Sequence, residues 1–535
     1  MHIIDILIFI VYIVGMLGVG YYFFRSNTGL DDYYVGGRNM SSWHIGLSVV
    51  ATDVGGGFSI GLGGLGFTIG LSGSWMLFTG LIGAWLAAVF LIPVVRGNKA
   101  FAKFHTMPQI FEYFFDKKVA LLAALISAIG YAGFTSSQLL AGAKLASGTF
   151  PEVSLTSALV VMGAIAVIYT VIGGIKAVIY TDTIQWIILL SGLVFIGIPL
   201  SYQAVGGMKA IRETLDPSML SLTNISWQDI VYWVATIIPI WFVGMTLYQR
   251  IYASKDVKTA KKAWFIAGLF EWPVMAFMGV ALGLMARVAA EQGMFAHLGT
   301  MGIVDADPEQ GLPMMLATVL PVGLLGLMMS AYFSAILSTA DSCLMASSGN
   351  IVTDFIQKFS NRFSTDKSFL RLSQLVTFGV GILALLLASV MENVLDLMLY
   401  SYAFMVSGLF IPIIGGLFWK KSSTTAAFYS MLSGGFTTAF LQANKVTLSL
   451  ASTREQLMER MVDFSHLMGF NSNAFEAMTP GQIAETVNKI QIISIPFTNS
   501  FFKLPLNLDP NVFGITVSAI IFISFSYLFP NTKKK

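Results

Sequence analysis

Apolar stretches of roughly twenty residues, the length a helix needs to cross a bilayer, recur along nearly the whole chain. They fall near 3–23, 43–71, 75–95, 119–146, 156–175, 180–203, 229–249, 263–288, 314–347, 372–391, 394–419, 424–442 and 511–529. The pattern predicts an all-α polytopic membrane protein of about thirteen transmembrane helices forming one domain. Several windows exceed a straight span and are expected to contain broken or tilted pieces. The polar positions between spans set the orientation. Arg96, Lys99, Lys103, Lys117 and Lys118 share one connection, and Arg250, Lys255, Lys258, Lys261 and Lys262 share another. Lys358, Arg362, Lys367 and Arg371 form a third, followed by Lys420, Lys421 and the terminal Lys533, Lys534 and Lys535. All of these fall on one side, which marks that side as cytoplasmic, with the N-terminus outside and the C-terminus inside. Asp5 ahead of the first span, with no basic leader and no small-residue cleavage site, argues against a signal peptide.

Two places break the apolar pattern informatively. The segment 321–350, PVGLLGLMMSAYFSAILSTADSCLMASSGN, carries Ser334, Ser338, Thr339, Asp341 and Ser342 inside a helix long enough to span. A carboxylate in hydrocarbon costs at least about 2.5–3.5 kcal/mol, so it faces protein, water or a cation. Neighbouring hydroxyls add oxygen ligands of the kind a hard cation takes. The second span contains Gly55-Gly56-Gly57, with Gly61, Gly63, Gly64 and Gly66 behind it. A helix in lipid accepts such a run only where neighbouring protein or a cavity satisfies the freed backbone groups. Residues 61–66, GLGGLG, match the dinucleotide fingerprint in letters alone, with no preceding strand or βαβ unit; close helix packing accounts for them. Five spans later Pro239 and Gly244 interrupt a second apolar helix. Interrupted helices at corresponding places in two five-helix halves predict inverted repeats around a midplane site.

Composition narrows the function classes. The chain is 56% hydrophobic and 11% charged, against about 25% charged in soluble domains. Its net charge of +3 follows topology and makes no nucleic-acid patch. The lone Cys343 excludes an intramolecular disulfide and any multi-cysteine metal site, and reads as a small packing residue. His2, His44, His105, His297 and His466 are scattered, with no metal-ligand spacing, and no nucleophile elbow is present, so an enzyme is not expected. The longest polar interruption, 443–510, includes the amphipathic TREQLMERMVDF and a turn at Met478–Thr479–Pro480–Gly481. It reads as a long external loop, and the acidic 304–311 (VDADPEQG) as a solvated connector.

Six motifs together resemble the sodium:solute symporter family of LeuT-like inverted-repeat transporters, whose bacterial members carry sugars, sialic acid, proline, pantothenate or choline-type solutes. They are DDYYVGGRNMSSWHIGLSVVATDVGGGFSIG (31–61), HTMPQIFEYFF (105–115), YTVIGGIKAVIYTDTIQ (169–185), YQRIYASKD (248–256), SAILSTADSCLMASS (334–348) and GLFWKK (416–421). The resemblance runs from the second span through the eleventh and weakens after about residue 440. It implies a 5+5 inverted-repeat core with broken helices. Residues 1–42 would be an extra N-terminal helix and cytoplasmic loop, 43–203 the first repeat, 204–228 an external connector, and 229–419 the second repeat. Residues 420–535 would be two peripheral helices with the long external loop 443–510.

The resemblance also implies sodium-coupled uptake of a small solute by alternating access in a bacterial inner membrane, with Na+ as coupling ion and no other cofactor. By position, the main sodium site corresponds to Ala51, Val54, Ala335, Ser338 and Thr339. A second sodium site used by some relatives corresponds to Asp182, which could be joined by Ser338, Asp341 and Ser342; the alternative for Asp182 is a helix-start carboxylate paired with Lys176. Where sugar-carrying relatives have amide and acid side chains, this chain has Phe58, Leu77, Ile237 and Leu399, and Glu271 stands where a sugar-binding lysine does. With Asp53, Trp75, Phe78, Trp241 and Tyr402, these positions predict a pocket for an amino acid, amine or other cationic or zwitterionic solute. The alternatives are proton-coupled symport, sodium-coupled uptake of a sugar, sialic acid or carboxylate, and an uncoupled channel or sensor. A sensor would be expected to carry a large signalling domain, and only a short tail follows the last span. The bilayer, the solute and Na+ are the expected partners; nucleic acid is not.

Overall fold

The computed structural model describes residues 2–26, 35–53, 55–173, 175–303, 306–359, 366–448, 483, 487, 490–498 and 500–531. The amphipathic stretch 453–464 and the turn at 478–481 lie outside them, as do Val54 and the side chain of Lys176. The chain is mainly helical. Helix α1 is Ile3–Ser26, α2 Ser42–Asp53, α3 Gly55–Ile69, α4 Trp75–Leu86, α5 Lys117–Thr149, α6 Leu155–Gly173, α7 Ile175–Gly192 and α8 Trp227–Val243. Then follow α9 Met245–Ala253, α10 Val257–Phe270, α11 Phe277–Glu291, α12 Leu324–Gly349, α13 Asp366–Ala388, α14 Val394–Phe418, α15 Thr424–Ala443 and α16 Pro510–Leu528. Among the described residues, eight helices are long and apolar enough to cross a membrane, or up to nine if the bent pair α8–α9 is one span. The described end of the long connection before α16 forms a small antiparallel pair, Ile492–Ser494 with Phe501–Lys503.

The centre of the bundle is α12 packed on α5. Every residue of α12 from Met328 to Gly349 is buried, including Ser338, Asp341, Ser342 and Cys343. A helix that carries hydroxyls and a carboxylate yet is enclosed must find hydrogen bonds for them inside the protein. At its N-terminal end Asp5 Oδ1, from α1, accepts the N–H groups of Gly323 at 2.7 Å and Gly326 at 2.9 Å. These satisfy donors that a helix start leaves open. At its C-terminal end Ser347 Oγ donates to the Ala128 carbonyl (2.8 Å) and Asn350 Nδ2 to Ser127 Oγ (2.6 Å), both on α5.

The two breaks have different causes. Between α2 and α3 the chain resumes at Gly55 with φ of +47°, a conformation that disfavours side chains. Gly57 N–H is then taken up by Gln138 Oε1 at 3.0 Å. Further along α3, a Cβ on Gly66 would collide with the backbone of Val280, and one on Gly283 with the backbone of Gly63. That is helix-to-helix backbone contact between α3 and α11, which accounts for these glycines. In the second broken span the bend of 43° lies at Gly244, between α8 and α9, while Pro239 stays inside α8. A proline frees the carbonyl four residues back. Here that carbonyl, Ala235, accepts from Asn511 Nδ2 of α16 at 3.3 Å, so the helix continues through Pro239. Gly244, at φ −67° and ψ 112°, leaves the helical region and turns the chain.

The acidic connector after α11 is not merely solvated. Glu309 is buried, and its carboxylate accepts the N–H groups of Val394 (2.9 Å) and Leu395 (3.0 Å) at the start of α14. Lys144 of α5 pairs with Glu309 at 2.7 Å and Asp307 at 2.8 Å.

Candidate functional site

Where α2 ends, the hydroxyl ladder of α12 comes alongside. Thr339 Oγ1 lies 2.9 Å from the Ala51 carbonyl and 3.1 Å from the Ala335 carbonyl. A Cβ on Gly55 would sit 2.8 Å from the same hydroxyl, so only glycine lets α3 start this close. Three of the five residues expected at the main sodium site therefore meet through one oxygen cluster. Ser338, the fourth, turns its hydroxyl to Asp182 of α7, and Val54 lies outside the described residues.

The second expected site divides. Asp182 is fully buried, with Ser338 Oγ on Oδ1 and Ser48 Oγ donating to Oδ2 at 2.5 Å. Its charge partner is Arg250, whose Nη2 is 3.7 Å from Oδ2. That guanidinium also donates to Ser342 Oγ (3.0 Å), Thr52 Oγ1 (2.5 Å), Ser48 Oγ (3.1 Å) and the Thr246 carbonyl (3.2 Å). Asp182, Ser338 and Ser342 thus gather around an arginine, and Asp341 does not bond with them: it accepts from Thr170 on α6. Counting Arg250 among the loop cations was an error. It is fully enclosed within the half-helix α9. The available signal was its position six residues after Gly244, inside the motif YQRIYASKD. Sequence reasoning also missed Ser48, Thr52 and Gln138.

The expected pocket residues fall into three groups. Asp53 and Glu271 face each other within hydrogen-bonding reach, 4% and 0% exposed. Glu271 opens a π-type turn, Glu271–Ala276, that contains Pro273; such turns re-aim side chains within a helix. Tyr402 OH donates to Asp53 Oδ1 at 3.4 Å, and its ring lies 6.4 Å from that of Phe58. These four residues form one cluster. Leu77, Ile237 and Leu399 are all buried. Trp241 packs on Trp264 with ring centroids 6.4 Å apart. Trp75 and Phe78 belong to a separate aromatic cluster with Trp272, at 6.2 and 4.9 Å; Trp75 also donates to the Leu222 carbonyl.

A bundle of apolar helices that buries its acids beside helix breaks is built as a solute carrier. Comparison with known proteins makes the class specific. A model of the sodium:solute symporter family matches residues 33–434, and the chain belongs to that family. It is therefore an integral membrane protein from a family that couples solute uptake to sodium. The osmoregulated proline transporter OpuE of Bacillus subtilis (strain 168) is 28% identical over 440 residues, covering 80% of this chain and 86% of its own. The sodium/glucose cotransporter of Vibrio parahaemolyticus is 24% identical over 561 residues, 98% of each chain. Among solved structures, a Na+-coupled sialic acid symporter in a substrate-bound outward-open state shares the fold, with a TM-score of 0.70 at 21% identity over 98% of each chain.

Proposed function

We propose that this protein uses the sodium gradient to take up a small amine or amino acid by alternating access. The observation that carries the substrate class is the buried Asp53–Glu271 pair, which no basic side chain neutralises among the described residues. A cationic or zwitterionic nitrogen offers that charge. The apolar Phe58, Leu77, Ile237 and Leu399 speak against a sugar, which needs many placed hydrogen-bond partners. Two relatives named above are proline and glucose carriers, and the acid pair favours the nitrogenous solute of the first.

Ala51, Val54, Ala335, Ser338 and Thr339 would hold the coupling ion. Sodium there joins α2 to α12 and stabilises the substrate-ready arrangement, provided it binds that state better than the inward-open one. One positive charge entering through 100 mV supplies about 2.3 kcal/mol, before the concentration gradient is added. A second sodium at Asp182, Ser338 and Ser342 would require Arg250 to withdraw. The thirteen-helix arrangement, with repeats at 43–203 and 229–419, N-terminus outside, C-terminus inside and a bacterial inner membrane as its place, completes the reading; the likeness in fold and the two broken helices support it.

Uptake into proteoliposomes tests it. Under an inward sodium gradient, a panel of amines, amino acids, sugars and monocarboxylates should yield concentrative uptake of one nitrogenous class, lost when potassium replaces sodium. Uptake of a sugar or carboxylate, or equal uptake in potassium, overturns the proposal. A pH gradient that drives uptake without sodium would point to proton coupling.

A further inference from the structure

We infer that the pocket selects an ammonium group that still bears N–H hydrogens and rejects fully methylated ammonium, a refinement that rests on the amine reading of the same site. Asp53 Oδ2 and both Glu271 oxygens have no hydrogen-bond donor, and Asp53 Oδ1 has only the long bond from Tyr402. Asp53 and Glu271 can bridge each other only through one shared proton, which leaves their remaining oxygens without a donor among the described residues. A buried acceptor without a donor forfeits its solvation uncompensated. Two neighbours beside Glu271 offer no side-chain donor. Gly80 of α4 abuts Glu271 so closely that a Cβ there would collide with Oε2, and Ile237 stands beside it. N–H groups of the solute would supply donors to the oxygens left over.

The aromatic side chains point the same way. Recognition of a quaternary ammonium relies on ring faces turned toward the cation. Here Tyr402 is packed edge-on against Phe134 (4.9 Å) and tilted against Phe58. Trp241 lies on Trp264, and Trp75 and Phe78 lie on Trp272. The rings are engaged with one another, while the carboxylate oxygens are free.

A methylation series on fixed skeletons tests this with the purified full chain. Propylamine and alanine, each as the primary, N-methyl, N,N-dimethyl and N,N,N-trimethyl form, are titrated in sodium and in potassium by thermal shift and calorimetry. Affinity in sodium should fall about tenfold or more for each N–H that serves a carboxylate, and the trimethyl forms should give no shift. Trimethyl members that bind as tightly as the primary ones overturn this inference and leave the amine reading standing. Sugars or carboxylates that stabilise in sodium while both series do nothing overturn the two together. Glu271→Gln should keep the sodium-induced shift, which reports an intact fold, and lose at least about tenfold in affinity for the best-bound series member. Unchanged affinity in that variant also overturns the assignment.

Discussion

Replacing Thr339 with alanine removes the one side-chain oxygen that touches both α2 and the backbone of its own helix. Its Oγ1 is 2.9 Å from the Ala51 carbonyl and 3.1 Å from that of Ala335, so it is placed to complete an oxygen shell between them. A charge-assisted contact of this kind contributes about 1.5–3 kcal/mol, equivalent to roughly 10- to 150-fold in sodium affinity. The neutral bond to Ala51 contributes only about 0.5–1.5 kcal/mol to stability, so the fold should survive. The assay is a sodium titration of thermal stability, repeated on sodium-driven uptake in proteoliposomes. Thr339→Ala should shift half-saturation upward by that factor in both, and Thr339→Ser, which keeps the hydroxyl, should stay close to the parent. Unchanged sodium activation in Thr339→Ala would remove this residue from the ion's shell and refute the reasoning.

Three further outcomes are expected. Arg250→Met leaves Asp182 buried without its cation, a defect of about 3–5 kcal/mol, and sodium should restore melting temperature more strongly than in the parent; equal sodium stabilisation in the two would refute a cation site at Asp182. Lys144→Met strands Glu309 and should cost about 3–5 kcal/mol in an unfolding measurement, most of it regained in Lys144→Met/Glu309→Gln; a neutral single variant would contradict the buried cluster. Asp5→Ala uncaps two amides at the start of α12 and should lower stability by about 0.5–2 kcal/mol without altering sodium half-saturation.

Features controlled by local chemistry were legible in the sequence. The apolar windows coincide with helices because membrane helices satisfy their backbone internally. The Gly55–Gly57 run marked a true break, and Ser338 and Thr339 were found beside it because hydroxyls in an apolar helix stand out. Features controlled by distant partners were not. Pro239 has the signature of an interruption, yet Asn511, in a helix 272 residues further on, takes the freed carbonyl. Asp341 sits three residues from Ser338 but is claimed by Thr170 of α6. Arg250 lies close to a run of loop lysines, and only the fold reveals that it meets Asp182, Ser48, Thr52 and Ser342. Glu309 belonged to a segment that reads as solvent-exposed, and its role depends on where α14 begins.

The fastening of α12 at both ends has an evolutionary consequence. Asp5 holds its start, and Ser347 and Asn350 hold its C-terminal part to α5. None of these contacts involves Asp53, Phe58, Glu271 or Tyr402. The anchors of the helix proposed to supply the sodium hydroxyls are thus distinct from the residues proposed to meet the solute. Substitutions confined to the proposed pocket would leave these anchors in place. A lineage built on such a frame can diversify its diet while retaining one energy source.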